Sequence, residues 1–275
     1  MRQQAITSSF RSTIRHLQSK AGFAARFRGI SLFVVYTFAF TTIAGSISAI
    51  PLVPRPIAHI VTALFLANWS LTWTHIVISD PSPNRWYQRL PTSRVWKKIA
   101  GPAAILAVAE QLTVLLPVAL AKVYGLDMDP KMAANLSGAE KHKAAWKGFS
   151  VFVLFIVLSF LTVIPANVTL TRVQASLLSD NEETIVPFDR SFGGKVIPEI
   201  VGGSGVIGLV DAWKTFDFNA RVRLVNAYVK VFAMQMALTM FLIGVVVAQL
   251  FIIIGKTNLK KIIKDPKNGD DVMIM

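Results

Sequence analysis

Two apolar runs flanking a short basic loop constrain this chain more than any other feature. Ile57 to Ser79 spans 23 residues without a formal charge, and Gly101 to Leu126 is a second run whose one carboxylate is Glu110. A helix needs about 20 predominantly apolar residues to cross roughly 30 Å of hydrocarbon, so both runs predict membrane spans. The residues between them set Arg85, Arg89, Arg94, Lys97 and Lys98 against Asp80 alone, and interleave Trp86, Tyr87 and Trp96. Lys and Arg favour the cytoplasmic side, and amphipathic aromatics favour the headgroup layer. The loop is therefore expected at a cytosolic or matrix-facing surface, its five cations meeting anionic lipid headgroups. A nucleic-acid partner is not expected, since the membrane already accounts for the charge.

Residue counting places further groups along this hairpin. Asn68, Thr72, His75 and Ser79 follow one another at spacings of four, three and four, so they share one helical face. Asn68 lies eleven residues before the end of its run and Glu110 nine after the start of the next. In straight antiparallel helices rising 1.5 Å per residue, both would sit at mid-membrane. Glu110 is thus expected to face the bundle interior near Asn68 or Thr72, where desolvation penalises its charged form. Two roles follow for the set Glu110, Asn68, Thr72 and His75. One is structural hydrogen bonding between helices; the other is an ion or proton relay, the default hypothesis for an intramembrane ionisable group.

The rest of the chain fits the same class. A mean hydropathy of +0.52 and 53% hydrophobic residues argue for a polytopic membrane protein. The net charge of +14 gathers beside the apolar runs, which assigns it to topology and anionic lipid. Residues 1–28 contain no acid and place Ile6, Phe10, Ile14, Leu17, Ala21 and Ala24 at helical spacing among six cations. This basic amphipathic helix reads as a permanent interfacial anchor, with a mitochondrial presequence as the alternative. Endomembrane or plasma membrane follows from the first reading, and the mitochondrial inner membrane from the second. The expected fold is an all-α polytopic helical bundle of about five spans, near 29–53, 57–79, 101–126, 149–170 and 231–254. A polar, interfacial region fills 171–230, and a basic tail occupies 255–275. Thr41, Gly45 and Ala49 form a small-residue ridge suited to close helix packing. Asn135-Leu-Ser137 is a glycosylation sequon in the loop before the fourth span. Pro165 is expected to kink or end that span.

Catalytic chemistry finds little support. The chain has no cysteine, which excludes disulfides, thiolate metal sites, iron–sulfur clusters and thioester intermediates. His59 and His75 stand sixteen residues apart, about 160° around a helix, and the other histidines, His16 and His142, are dispersed. Gly203-Ser-Gly-Val-Ile-Gly208 matches GxGxxG after a strand-like Lys195–Val201. A dinucleotide site needs a complete βαβ unit and an acid about 20 residues on, and neither is available. The glycines of Gly202–Gly208 are read instead as a tight or re-entrant loop, and Asp211 to Phe218 as an interfacial helix. No catalytic, metal-binding or cofactor-binding set is expected.

Pro187-Phe-Asp-Arg-Ser-Phe-Gly-Gly194, Asp211-Ala-Trp-Lys-Thr-Phe216 and Ala67-Asn-Trp-Ser-Leu-Thr-Trp-Thr-His75 resemble segments of a group of fungal multi-span integral membrane proteins of undefined biochemistry. Some of that group carry the label ubiquitin carrier protein. A ubiquitin carrier enzyme forms a thioester on cysteine, so the label conflicts with this chain's composition. The resemblance implies a membrane protein and transfers no residue role. The functional expectation is a non-catalytic scaffold, interaction or biogenesis factor, with membrane-protein partners or further copies of itself. The alternative is a small transporter or channel-like protein built on Glu110.

Overall fold

The computed structural model describes residues 9–126 and 137–254. Asn135 of the sequon, the first eight residues and the 255–275 tail lie outside the described residues. The fold is all-α, and among the described residues four helices are long and apolar enough to cross a membrane, or five if one bent pair counts as a span. The chain divides into two units, one through Thr215 and one from Phe216.

The first unit opens with α1 (Phe10–Ala21), capped by the Ser9 hydroxyl accepting from the Ser12 amide, and a 3-10 turn at Phe23–Phe27. Among the described residues the amphipathic helix therefore ends at Ala21 rather than running to residue 28. Next come α2 (Ile30–Ser48), α3 (Arg55–Phe65) and α4 (Ala67–Ile78). α5 (Ser93–Val123) follows and packs against α3, α4, α6 (Gly138–Leu158) and α7 (Ile164–Ser176). Its buried face is Ile99, Pro102, Ala103, Ala107, Ala109, Thr113 and Pro117. Small side chains let neighbouring backbones approach where lipid supplies no hydrophobic drive.

Three predicted boundaries shift for identifiable reasons. Arg94, Lys97 and Lys98 stand on the first turns of α5, not in a loop before it. The helix of the fourth span begins at Gly138, ahead of the apolar run at 149, because Ser137 and Glu140 form a reciprocal capping box. It then runs through a π-helical turn at Ser159–Val163 into α7 and ends at Ser176. Pro165 lacks an N–H and crowds the preceding turn, and the wider π turn accommodates it without ending the helix.

The larger correction concerns the second span. Residues 57–79 are not one straight helix: α3 and α4 meet at Leu66 with a bend of 56°. Trp96 Nε1 donates to the Leu64 carbonyl (2.7 Å) and the Asn68 amide reaches the Pro91 carbonyl (3.5 Å). The break therefore lies level with the beginning of α5. Glu110 is fourteen residues beyond Trp96, about 21 Å along the helix axis. Counting residues along an unbroken rod placed Asn68 too deep.

Beyond α7, Leu178 and Ile185 are buried, and Ser79 and Thr184 form an isolated antiparallel bridge. Among the described residues there is no strand at 195–201; Glu199–Val201 is a 3-10 turn. The Ser191 hydroxyl and the Gly193 and Ser191 amides bond the Asp189 carboxylate, holding it below the ordinary carboxylate range. Gly203 packs against the Ile197 backbone so closely that a Cβ there would run into the Ile197 carbonyl. α8 (Leu209–Lys214) closes the unit, with Ala212 fully buried in a core that includes Leu71, Ile99, Ala103, Leu170 and Val173. The second unit contains α9 (Phe218–Ile254), which starts thirteen residues before the expected span at 231. The Arg221 guanidinium donates to the Phe216 carbonyl (2.9 Å) at its entry.

Gly29, the residue before α2, has φ 75°, and a Cβ there would lie 3.0 Å from the Trp73 ring of α4. Gly29→Ala combines left-handed strain with a steric demand on α4, and should lower stability by about 1–3 kcal/mol. Thermal unfolding in detergent, compared with Gly22→Ala, measures it. Gly22 also has positive φ but open space around it, so its variant should show the smaller loss.

Candidate functional site: a cationic pocket beside a polar cross-brace

A single glutamine braces the polar face of α4. Gln174, 2% exposed on α7, accepts from the Thr74 hydroxyl (2.6 Å) and donates to the Ser70 hydroxyl (3.2 Å). His75 Nε2 donates to the Gln174 carbonyl (2.8 Å). Ser70 and Thr74 are one turn apart, so a single amide on the facing helix satisfies both. The end of α4 presents Ser79, whose hydroxyl accepts from Arg89 (2.9 Å). The same guanidinium pairs with Glu182 at 2.7 Å, with its side chain only 8% exposed.

Beside this brace the loop after α4 folds over the entry to α2. The Asn84 amide donates to Ser82 Oγ (3.2 Å) and the Arg85 amide to Gln88 Oε1 (2.9 Å), which sets a 3-10 turn at Trp86–Arg89. Trp86 contacts Trp69 at 5.7 Å between ring centroids. The result is a pocket of about 510 Å³ lined by Arg28, Gly29 and Ser31 at the start of α2, Ile76 from α4, and Pro81, Ser82, Asn84, Arg85, Trp86, Tyr87 and Arg89 from the loop. Three guanidiniums line it and no carboxylate does. Arg28 Nη1 is buried and makes no hydrogen bond among the described residues. The Arg28 charge feels Asp80 and Arg89, while Arg85 lies 3.4 Å from the Tyr87 hydroxyl. Guanidinium forks match the oxygens of phosphates and carboxylates, and Trp86 and Tyr87 suit the headgroup layer.

The five predicted headgroup cations divide accordingly. Arg85 and Arg89 line the pocket, though Arg89 already holds Glu182 and Ser79. Lys98 is turned inward: its ammonium binds Glu199 and the Ser204 carbonyl, tying the glycine-rich loop to α5. Lys98 in turn holds the Glu199 carboxyl below its ordinary range. Arg94 and Lys97 are exposed.

The predicted intramembrane set is not brought together. Thr72 bonds the Asn68 carbonyl of its own helix, and His75 serves α7. Glu110 is exposed on α5. Sequence reasoning missed Gln174 because the span was ended at residue 170. It missed Arg28 because that residue was grouped with the amphipathic helix. Among the described residues, no three His, Cys, Asp or Glu side chains come together as a metal site. No protein family, curated protein or solved structure matches the chain.

Gln174→Leu removes one amide and leaves the Thr74 and Ser70 hydroxyls to find other partners. It should cost about 1–3 kcal/mol, the range for stranding buried polar groups. Thermal unfolding measures the loss. Hydrogen exchange should also show α4 opening ahead of α5.

Proposed function

We propose that the protein is a non-catalytic membrane scaffold or biogenesis factor that grips anionic lipid at one end of its bundle. Membrane-protein partners, or further copies of the chain, would dock on its lipid-facing helices. The observation that carries the reading is the Arg28–Arg85–Arg89 pocket, which brings three guanidiniums and no carboxylate to one concavity and is rimmed by interfacial aromatics. Basic residues near a membrane surface attract anionic headgroups by about 1 kcal/mol each. The separation of Glu110 from the Asn68–His75 face speaks against the transporter reading, which needed them as one polar path. The resemblance to fungal multi-span proteins agrees with a membrane role and adds no chemistry.

The tie between α1 and the bundle favours an interfacial anchor over a presequence. His16 Nε2 donates to the carbonyl of the buried Ile185 (2.9 Å), so α1 is part of the folded first unit. An endomembrane or plasma-membrane location follows from that reading. Mass spectrometry of the mature N-terminus from fractionated membranes should recover residues before Phe10. Recovery of a chain trimmed past Gly22 from mitochondria would reverse the assignment.

The headgroup reading predicts selective lipid retention. Native mass spectrometry of the detergent-purified chain should show anionic lipid held in preference to phosphatidylcholine. The double variant Arg28→Gln, Arg85→Gln should lower that retention by on the order of tenfold. Arg94→Gln, at an exposed position outside the pocket, should change it little. Equal losses from both variants would mean diffuse surface charge and end the pocket reading.

A further inference from the structure

A second concavity lies in the same unit, between α5, α7 and α8. Its volume is about 740 Å³. Pro102, Ile105, Val108 and Leu112 run down its α5 wall, and α8 contributes Trp213 and Lys214. The two threonines in its α7-side wall add no polarity. Thr162 donates to the Leu158 carbonyl (2.7 Å) and Thr169 to the Pro165 carbonyl (2.8 Å), so both hydroxyls are turned back into their own helix. The interior is therefore apolar along its length.

The polar elements stand at one end. α8 packs on the part of the bundle where Ile99 and Ala103 of α5 meet Leu170 and Val173 of α7, with Ala212 buried among them. Trp213 and Lys214 thus mark the mouth, near the same end as Arg94 and Lys98 on the first turns of α5. Leu112 and Thr162 mark the floor, level with the contact between the Thr113 and Thr162 hydroxyls (3.4 Å). From Pro102 to Leu112 is ten residues, about 15 Å of helix, and half of a roughly 30 Å hydrocarbon core is the same length. The groove is one leaflet deep. The Lys214 ammonium makes no hydrogen bond or ion pair among the described residues, and Asp211, three residues earlier on α8, is outside the lining.

We propose that this groove is a binding site for one anionic glycerophospholipid of the leaflet that faces the basic loop, with an acyl chain along α5 and the headgroup on Lys214. An apolar slot of one-leaflet depth fits an acyl chain. An unpaired ammonium beside an indole at its mouth fits an anionic headgroup at the interface. The site is distinct from the arginine pocket and shares only the membrane end with it.

The test uses the full-length chain in nanodiscs with two probes, phosphatidylserine and phosphatidylcholine, each carrying a diazirine on one acyl chain. After photolysis, labelled peptides are mapped by mass spectrometry. The serine lipid should label 105–112 and 162–169 about fivefold more than the choline lipid. Lys214→Gln should bring the two probes level, and Val108→Trp, which fills the groove, should lower labelling by both. Arg28→Gln with Arg85→Gln should leave groove labelling unchanged, which separates failure here from failure of the arginine pocket. Equal labelling by both probes across the groove and the exposed faces of α6 would mean annular lipid only and overturn the proposal. Selectivity that survives Lys214→Gln would overturn it as well. Lys214 is exposed, so that variant keeps its fold and decides the matter even where Val108→Trp fails to assemble.

Discussion

A polar group buried inside a protein has no water to fall back on, so its partner must come from the protein. Gln174 meets that demand for α4. Because α4 breaks from α3 at Leu66, it carries Ser70, Thr74 and His75 against α7, and one glutamine satisfies all three. Without that brace the bend would leave hydroxyls and an imidazole in an apolar setting. With it, the rest of the cationic end falls into place. Ser79 at the end of α4 supports Arg89, and Trp73 on α4 packs on Gly29 and so positions the neighbouring Arg28.

The class of fold was legible in the sequence because long uncharged runs admit few structures. Its interior geometry was less so, and the reason is specific. Prolines in membrane helices are weak stop signals, since widened turns and neighbouring groups can take up the lost hydrogen bond. Pro102, Pro117 and Pro165 all lie inside helices that continue. The real break, at Leu66-Ala67-Asn68, contains neither proline nor glycine. Trp96 bonding the Leu64 carbonyl is the kind of long-range contact that holds such a break, and no local pattern announces it. The Ser137–Glu140 capping box, by contrast, was readable and would have moved the fourth helix to its true start. The candidate site was half legible: the basic aromatic loop supplied Arg85, Arg89, Trp86 and Tyr87. Arg28, Gln174 and Glu182 come from segments far away in sequence.

Formal charge and available charge are different quantities in this protein. A net +14 suggests a uniformly lipid-seeking surface. Yet Arg89 is fixed by Glu182, and Lys98 by Glu199 and the Ser204 carbonyl. Arg172 donates to Thr215 and stacks on Phe192 at 4.8 Å. These cations hold the polar region after α7 onto the bundle. Arg94 and Lys97 stay exposed on the helix surface, while the cations set in a concavity are Arg28, Arg85 and Arg89 in one pocket and Lys214 at the mouth of one groove.

The groove itself follows from a backbone problem. Pro165 cannot donate, and its ring crowds the turn before it. The chain answers with a π turn at Ser159–Val163, which keeps a single helix from Gly138 to Ser176. Such a turn adds a residue to the helical circuit and shifts the faces on either side of it. Thr162, inside the π turn, and Pro165, just after it, both line the α7 wall of the groove. Bulky residues on α5 remain exposed opposite them, among them Ile105, Val108 and Leu112. The same proline that failed to end the helix thus borders the concavity, and its surroundings are apolar because a threonine beside it turns its hydroxyl inward to the Pro165 carbonyl. A slot made in this way discriminates only weakly between chains of different structure, since nothing along its depth can hydrogen-bond. Selection among lipids has to come from the mouth, where Lys214 stands beside Trp213.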